Sequence, residues 1–313
     1  MKKIVMMIAA LLIVLAGCGN KNEDNGKLKV YTTVFPFKSM TEQIGGEHVD
    51  VESIYPNGID IHTFEPTQKD TLNVAKGDLF IYSSDELDPV AAKIAKTVKN
   101  EKTLPVAKAI KENQLLEHDH DHEEGHDHEH EHEHEHAESA HDPHVWLDPV
   151  MDKAFAEQIK DRLVKEDPDH KADYEKNYAK LAKDIVGIDQ QLKDITKNPK
   201  RDTVYISHDS LGYLANRYGF KQEGVSGMNN DEPSQREIVS LINQINELNA
   251  PYILYEQNIP SKITDIIKEK TETESLPFHN MAVLTDNDMK DKNVSYQSIM
   301  KKNIESLDKA LNE

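Results

Sequence analysis

The 313-residue chain has a single cysteine, Cys18, so it carries no intrachain disulfide framework and no cysteine-based zinc finger. Aromatic residues are few, at 6%, with one tryptophan. Positive charge is scarce as well: 37 Lys and Arg stand against 57 Asp and Glu, a formal net charge of -20. Such a chain lacks the basic face that nucleic acid requires, and it attracts cations. Long apolar runs are missing too. The uncharged stretch from Ile4 to Gly17 has too few residues for a membrane-crossing helix of about 20. These shortages exclude a multi-span membrane protein and a disulfide scaffold. Hydrophobic residues at 37% still supply a core in a chain of this length, which excludes wholesale disorder.

The apolar stretch follows Lys2 and Lys3, the arrangement of an export signal. It ends at Leu15-Ala16-Gly17-Cys18, which looks like a bacterial lipobox. In signals of that kind the cysteine is lipidated and becomes the first residue after cleavage. The expectation is a signal peptide over 1–17 and a lipid-anchored tether over 18–27. The body would then stand outside the cell, on the outer face of the bacterial membrane.

Within the body, Leu28 to Val34, Val49 to Tyr55 and Leu79 to Tyr82 read as strands, the second stopped by Pro56-Asn57-Gly58. A helix is expected from Pro89 to Lys99. The second half repeats the alternation, with strands at Val204 to Ile206 and Tyr252 to Tyr255 and helices at Gln235 to Leu248 and Ser261 to Lys270. Alternating strands and helices predict parallel α/β sheets. Between the halves, Tyr178, Leu181, Ile185, Ile188, Leu192 and Ile195 recur at steps of three and four, one stripe of a long helix. The stripe is too short for a coiled-coil seam, and Pro199 ends it, so the chain is read as a monomer. The fold class is therefore α/β: two α/β lobes with parallel sheets joined by one long rigid helix. The expected limits are 28–169 for the N-terminal lobe, 170–198 for the linking helix and 199–313 for the C-terminal lobe.

Residues 117–141 differ from all of this. They hold eleven acidic side chains and ten of the sixteen histidines: His118, His120, His122, His126, His128, His130, His132, His134, His136 and His141. So polar a segment cannot offset the entropy of folding by apolar burial, and a disordered loop is expected. It matches the H-E-x-x-H pattern of zinc proteases four times, but that motif needs a packed helix, which this composition cannot form. A tethered collector that raises the local metal concentration suits it better.

Of the remaining histidines, three occupy telling positions. His62 follows the turn after the second strand. His144 lies in Asp142-Pro143-His144-Val145-Trp146-Leu147-Asp148-Pro149, where Asp148 can cap a helix that Pro149 opens. His208 stands at the carboxyl end of its strand, the edge at which open α/β sheets bind ligands. Imidazoles converging there suit zinc and its neighbours. His48 and His170 are read as surface or helix-end groups.

The chain resembles the metal-binding lipoproteins of bacterial zinc and manganese ABC importers, the cluster A-I substrate-binding proteins. The segments His62 to Thr67, Asp142 to Pro149 and Ser207 to Leu214 carry the resemblance, which extends from about Leu28 to the C-terminus. It implies a metal held between the lobes by His62, His144 and His208, handed to a membrane permease driven by an ATPase. Many relatives supply a fourth, acidic ligand where this chain has Ala282. His279, water or a donor from the His-rich loop is left for that place. Glu256, after the strand at Tyr252, is a candidate to orient a ligand. Manganese-specific relatives have a carboxylate at the position of His208, and nitrogen ligands favour zinc, so Zn2+ is the expected cargo. Three other readings remain at this level: a manganese-binding importer component, a surface adhesin with a structural metal, and a zinc hydrolase with Glu65 as base. The expectation is a receptor and not an enzyme.

Overall fold

The computed structural model describes residues 26–117, 141–257 and 261–313. Strands β1 (Leu28–Thr32), β2 (Val49–Ser53), β3 (Leu79–Tyr82) and β4 (Thr103–Pro105) form one sheet in the order β2-β1-β3-β4. Strands β5 (Thr203–His208), β6 (Lys221–Ser226), β7 (Tyr252–Glu256) and β8 (Glu274–Phe278) form a second, in the order β6-β5-β7-β8. All pairings are parallel. In both sheets the strand order reverses beside the first strand, the switch point at which such sheets open a crevice.

Three strands escape sequence reading, namely β4, β6 and β8. Each is an outer strand of its sheet. β4 has three residues, β6 opens on Lys221-Gln222-Glu223, and β8 contains Pro277, which an outer strand tolerates and an inner one does not.

The helices are α1 (Phe35–Gly45), α2 (Gln68–Lys76), α3 (Pro89–Ala95), α4 (Pro149–Glu166), α5 (Lys171–Ile195), α6 (Gly212–Tyr218), α7 (Gln235–Glu247), α8 (Lys262–Thr271) and α9 (Tyr296–Asn312). Proline opens α3 and α4, where its missing N–H costs nothing. The long helix α5 has 25 residues, a length of about 37 Å. It buries Leu181, Ile185, Ile188 and Leu192 of the expected stripe, with Tyr178 and Ile195 half-buried at its margins. It packs on α1, α4 and α9. The C-terminal helix α9 in turn lies against β5, β7 and β8, so the spine between the lobes is a pair of helices. One apolar core runs through the first sheet, this spine and part of the second lobe. A smaller cluster of Tyr205, Val225, Leu241, Ile245, Ile253 and Ile267 fills the outer face of the second sheet.

Asp88 caps α3 from a buried position, accepting from Ala91 N at 2.8 Å and from the Tyr55 hydroxyl at 2.7 Å. Burial outweighs these bonds and pushes its carboxyl from the ordinary 3.8 up to about 6. The folded state therefore holds this proton more tightly than the unfolded chain, and stability is lost as pH rises from about 4 to about 6. Asp88→Asn keeps the cap without the charge. It should be more stable than the parent by roughly 2 kcal/mol at pH 7.5 and equal to it near pH 4, read from urea midpoints.

Candidate metal centre

The three histidines come together at the carboxyl ends of the strands. His62 follows β2, with its backbone N–H held by Asp60 Oδ1 at 3.0 Å. His144 precedes a tight turn at Val145–Leu147 and the Asp148 cap, whose Oδ1 accepts from Val150 N at 2.8 Å. His208 ends β5 beside the switch point, and Glu256 ends β7 next to it. The ring centroids lie 5.7 Å (His62–His144), 5.2 Å (His62–His208) and 5.0 Å (His144–His208) apart. One nitrogen from each ring lies within 4.8 Å of the other two, and among the described residues this is the one such group of metal-ligating side chains. A tetrahedral zinc with bonds of about 2.0–2.1 Å would draw the nitrogens in to about 3.3 Å.

Carboxylates fix two of the rings. Asp142 Oδ1 accepts from both the backbone N–H and Nδ1 of His144, each at 2.8 Å, which leaves Nε2 with a lone pair facing the cluster. Asp142 itself sits close against α6: a Cβ on Gly212 would run into its carboxylate. His208 Nδ1 donates to Glu256 Oε2 at 3.0 Å. Glu256 is fully buried and also accepts from Ser210 Oγ at 2.5 Å and Asn280 Nδ2 at 3.1 Å. The outer nitrogen of His208 meets the Met228 carbonyl at 2.9 Å, and Asn230 in the same turn reaches across to Asp60 Oδ2 at 3.0 Å. Both ring nitrogens therefore face acceptors. Burial alone would lower the His208 imidazolium, but the Glu256 carboxylate and the Met228 carbonyl raise it to about 9. His62 goes the other way: burial, then repulsion from His144 and His208, holds it well below the ordinary 6.5.

A cavity of about 10 Å3, enough for one water, opens beside the cluster between Ile59, His62, His144, Asn280 and Ala282. His279 does not reach it. Its Nδ1 accepts from Met281 N at 2.9 Å and its Nε2 pairs with Asp288 at 3.2 Å, so the protein itself occupies both ring nitrogens. His279 is also not part of the three-histidine group and does not line the cavity beside it. Glu65 is exposed. Cys18 and nine of the insert histidines, His118 to His136, lie outside the described residues. The tenth, His141, pairs with Glu86 at 2.5 Å, and its backbone bridges to Glu117 at the base of the insert. Sequence reasoning missed Asp142, Ser210, Asn280 and the Met228 carbonyl. Only Asp142 left a signal, as an acidic residue two positions before a histidine, the spacing of an Asx turn.

Around the site the two halves are tied directly. Trp146 Nε1 donates to the Asn280 carbonyl at 2.7 Å, the Tyr213 hydroxyl to the Asp142 carbonyl at 2.9 Å, and Arg217 to Asp148 at 2.5 Å. The crevice is thus built from both lobes at once.

Comparison with known proteins agrees with this architecture. The high-affinity zinc uptake system protein ZnuA of Bacillus subtilis is 32% identical over 314 residues, covering 98% of this chain and 97% of that protein. The crystal structure of Zn(II)-bound AdcA from Streptococcus pneumoniae superposes with a TM-score of 0.75 at 25% identity, over 92% of this chain and 58% of the longer AdcA chain. The laminin-binding protein Lmb of Streptococcus agalactiae, described as bifunctional with adhesin and metal-transporting activity, gives 0.75 at 26% identity over 91% of this chain and 100% of that one. The model of the ZnuA family, the periplasmic component A of zinc-uptake complexes, matches residues 30–310, and the chain belongs to that family.

Proposed function

We propose that the protein is an extracytoplasmic receptor that captures Zn2+ between its lobes and passes it to the permease and ATPase of an ABC importer. The observation that carries this reading is the three-imidazole cluster at the switch point, with the inner nitrogens of His144 and His208 held by Asp142 and Glu256. Such outer carboxylates set the tautomer and raise the basicity of the ligating nitrogen. His62, His144 and His208 would be the ligands, and three neutral nitrogen donors suit zinc better than manganese. Water in the small cavity at Ala282 would complete a tetrahedron, because alanine offers no donor where an acidic ligand is missing. Loading requires His208 to exchange the Met228 carbonyl for metal. No bond of a substrate is broken, so the receptor needs no general base.

The body would be held at the outer face of the membrane by lipid on Cys18, as a monomer. The histidines from His118 to His141 would collect metal weakly near the mouth of the crevice, and His141 at the base lies three residues from His144.

Removing the orienting carboxylate tests the site. Glu256→Gln should weaken zinc binding by about 10- to 100-fold, measured by competition with a chromogenic chelator. An unchanged affinity would remove Glu256 from the site. At the level of the cell, deletion of the gene should stop growth in zinc-poor medium and added zinc should restore it. Normal growth in that medium would favour adhesion as the protein's task.

A further inference from the structure

At the far end of the second sheet from the histidines, where β5 begins, a cavity of about 320 Å3 opens among Pro199, Lys200, Arg201, Tyr205, Leu248 and Ala250. That volume falls in the range of small-molecule sites. Two of its polar groups are idle. Arg201 Nη1 and Tyr205 Oη are both buried, and neither has a hydrogen-bond partner among the described residues. Tyr205 as a whole is only 2% exposed. Buried donors are almost always paired, and arginine cannot relieve the cost by shedding its proton.

Three acids lie near: Asp202 and Glu223, whose charges help keep the Tyr205 phenol protonated and able to donate, and Glu313. Asp202, which also lines the cavity, takes the Thr203 hydroxyl at 2.9 Å and Lys221 at 3.4 Å. Glu313 takes the Tyr252 hydroxyl at 3.1 Å. Lys200 adds an exposed positive charge, while Pro199, Ala250 and the exposed Leu248 give an apolar wall. A guanidinium and a phenol hydroxyl beside an apolar wall match an oxyanion that carries a small apolar body. We propose that this cavity binds a small organic carboxylate, with Arg201 and Tyr205 donating to its oxygens and Pro199 and Leu248 covering the rest. The site shares no residue with the histidine cluster, so it stands independently of the zinc reading.

The purified protein would be titrated calorimetrically with benzoate, acetate and inorganic phosphate, in parallel with Arg201→Gln and Tyr205→Phe. Benzoate should bind saturably and more tightly than acetate, which lacks the apolar body. Arg201→Gln should weaken it by at least about tenfold and Tyr205→Phe by a smaller factor, with zinc binding unchanged in both. Because the Tyr205 hydroxyl has no partner to lose, Tyr205→Phe keeps its thermal stability and serves as the folded control. Phosphate binding in place of benzoate would overturn the carboxylate assignment. Absence of saturable binding at millimolar concentrations, or benzoate binding indifferent to both substitutions, would overturn the site itself.

Discussion

His62→Ala should lower zinc affinity by at least about 100-fold while leaving the stability of the metal-free protein almost unchanged. Loss of an orienting partner alone costs about 10- to 100-fold, and loss of a ligand exceeds it. The His62 ring makes no hydrogen bond among the described residues, and its neighbours His144 and His208 disfavour its charge, so the metal-free fold loses little when it goes. His208→Ala should lose zinc to a similar degree with a different second effect. It leaves the fully buried Glu256 without its main partner, and breaking a buried pair costs about 3–5 kcal/mol. Chelator competition and urea unfolding in the absence of zinc separate the two variants. Retention of tight zinc by His62→Ala would exclude it as a ligand. Equal stabilities for the two variants would contradict the ion pair.

Trp146→Ala should destabilise the protein by about 3–5 kcal/mol, among the largest penalties available to a single truncation here. The indole is 2% exposed, so its removal opens a cavity in the middle of the continuous core. It also strands the buried Asn280 carbonyl, which the indole N–H satisfies at 2.7 Å. Trp146 bridges the two halves beside His144, whose ring centroid is 5.3 Å from its own. Loss of stability should therefore come with loss of zinc affinity. Circular dichroism in urea gives the first and chelator competition the second. A shift below about 1 kcal/mol would mean that the bridge between the lobes carries little of the fold's stability.

Sequence reading succeeded where apolar patterning and turn chemistry point the same way. The α5 stripe, the Asp148-Pro149 helix start and the inner strands β1, β3, β5 and β7 are all of this kind. It failed at β4, β6 and β8, which are very short, charged or interrupted by proline and bury few side chains, whereas the outer strand β2 keeps a clear alternation and was legible. The same contrast holds at the site. His62, His144 and His208 are legible as histidines at strand ends or beside helix starts, and Glu256 as an acid after a strand. Asn280 and the Met228 carbonyl enter only through the tertiary fold, since a backbone carbonyl has no sequence signal and Asn280 arrives from a return crossing near the C-terminus. For a related reason, the nearness of His279 to Ala282 in sequence says nothing about where its ring points. Asp288 holds that ring away from the cluster.

The most direct measurement is zinc K-edge X-ray absorption on protein lacking residues 118–140, loaded with one equivalent of zinc. The deletion removes the insert histidines that would otherwise blur the signal. Three imidazole nitrogens and one oxygen at about 2.0–2.1 Å are expected, falling to two imidazoles in any zinc still held by His144→Ala. Zinc that departs with the insert, or a coordination shell indifferent to His144→Ala, would contradict a metal centre built from His62, His144 and His208.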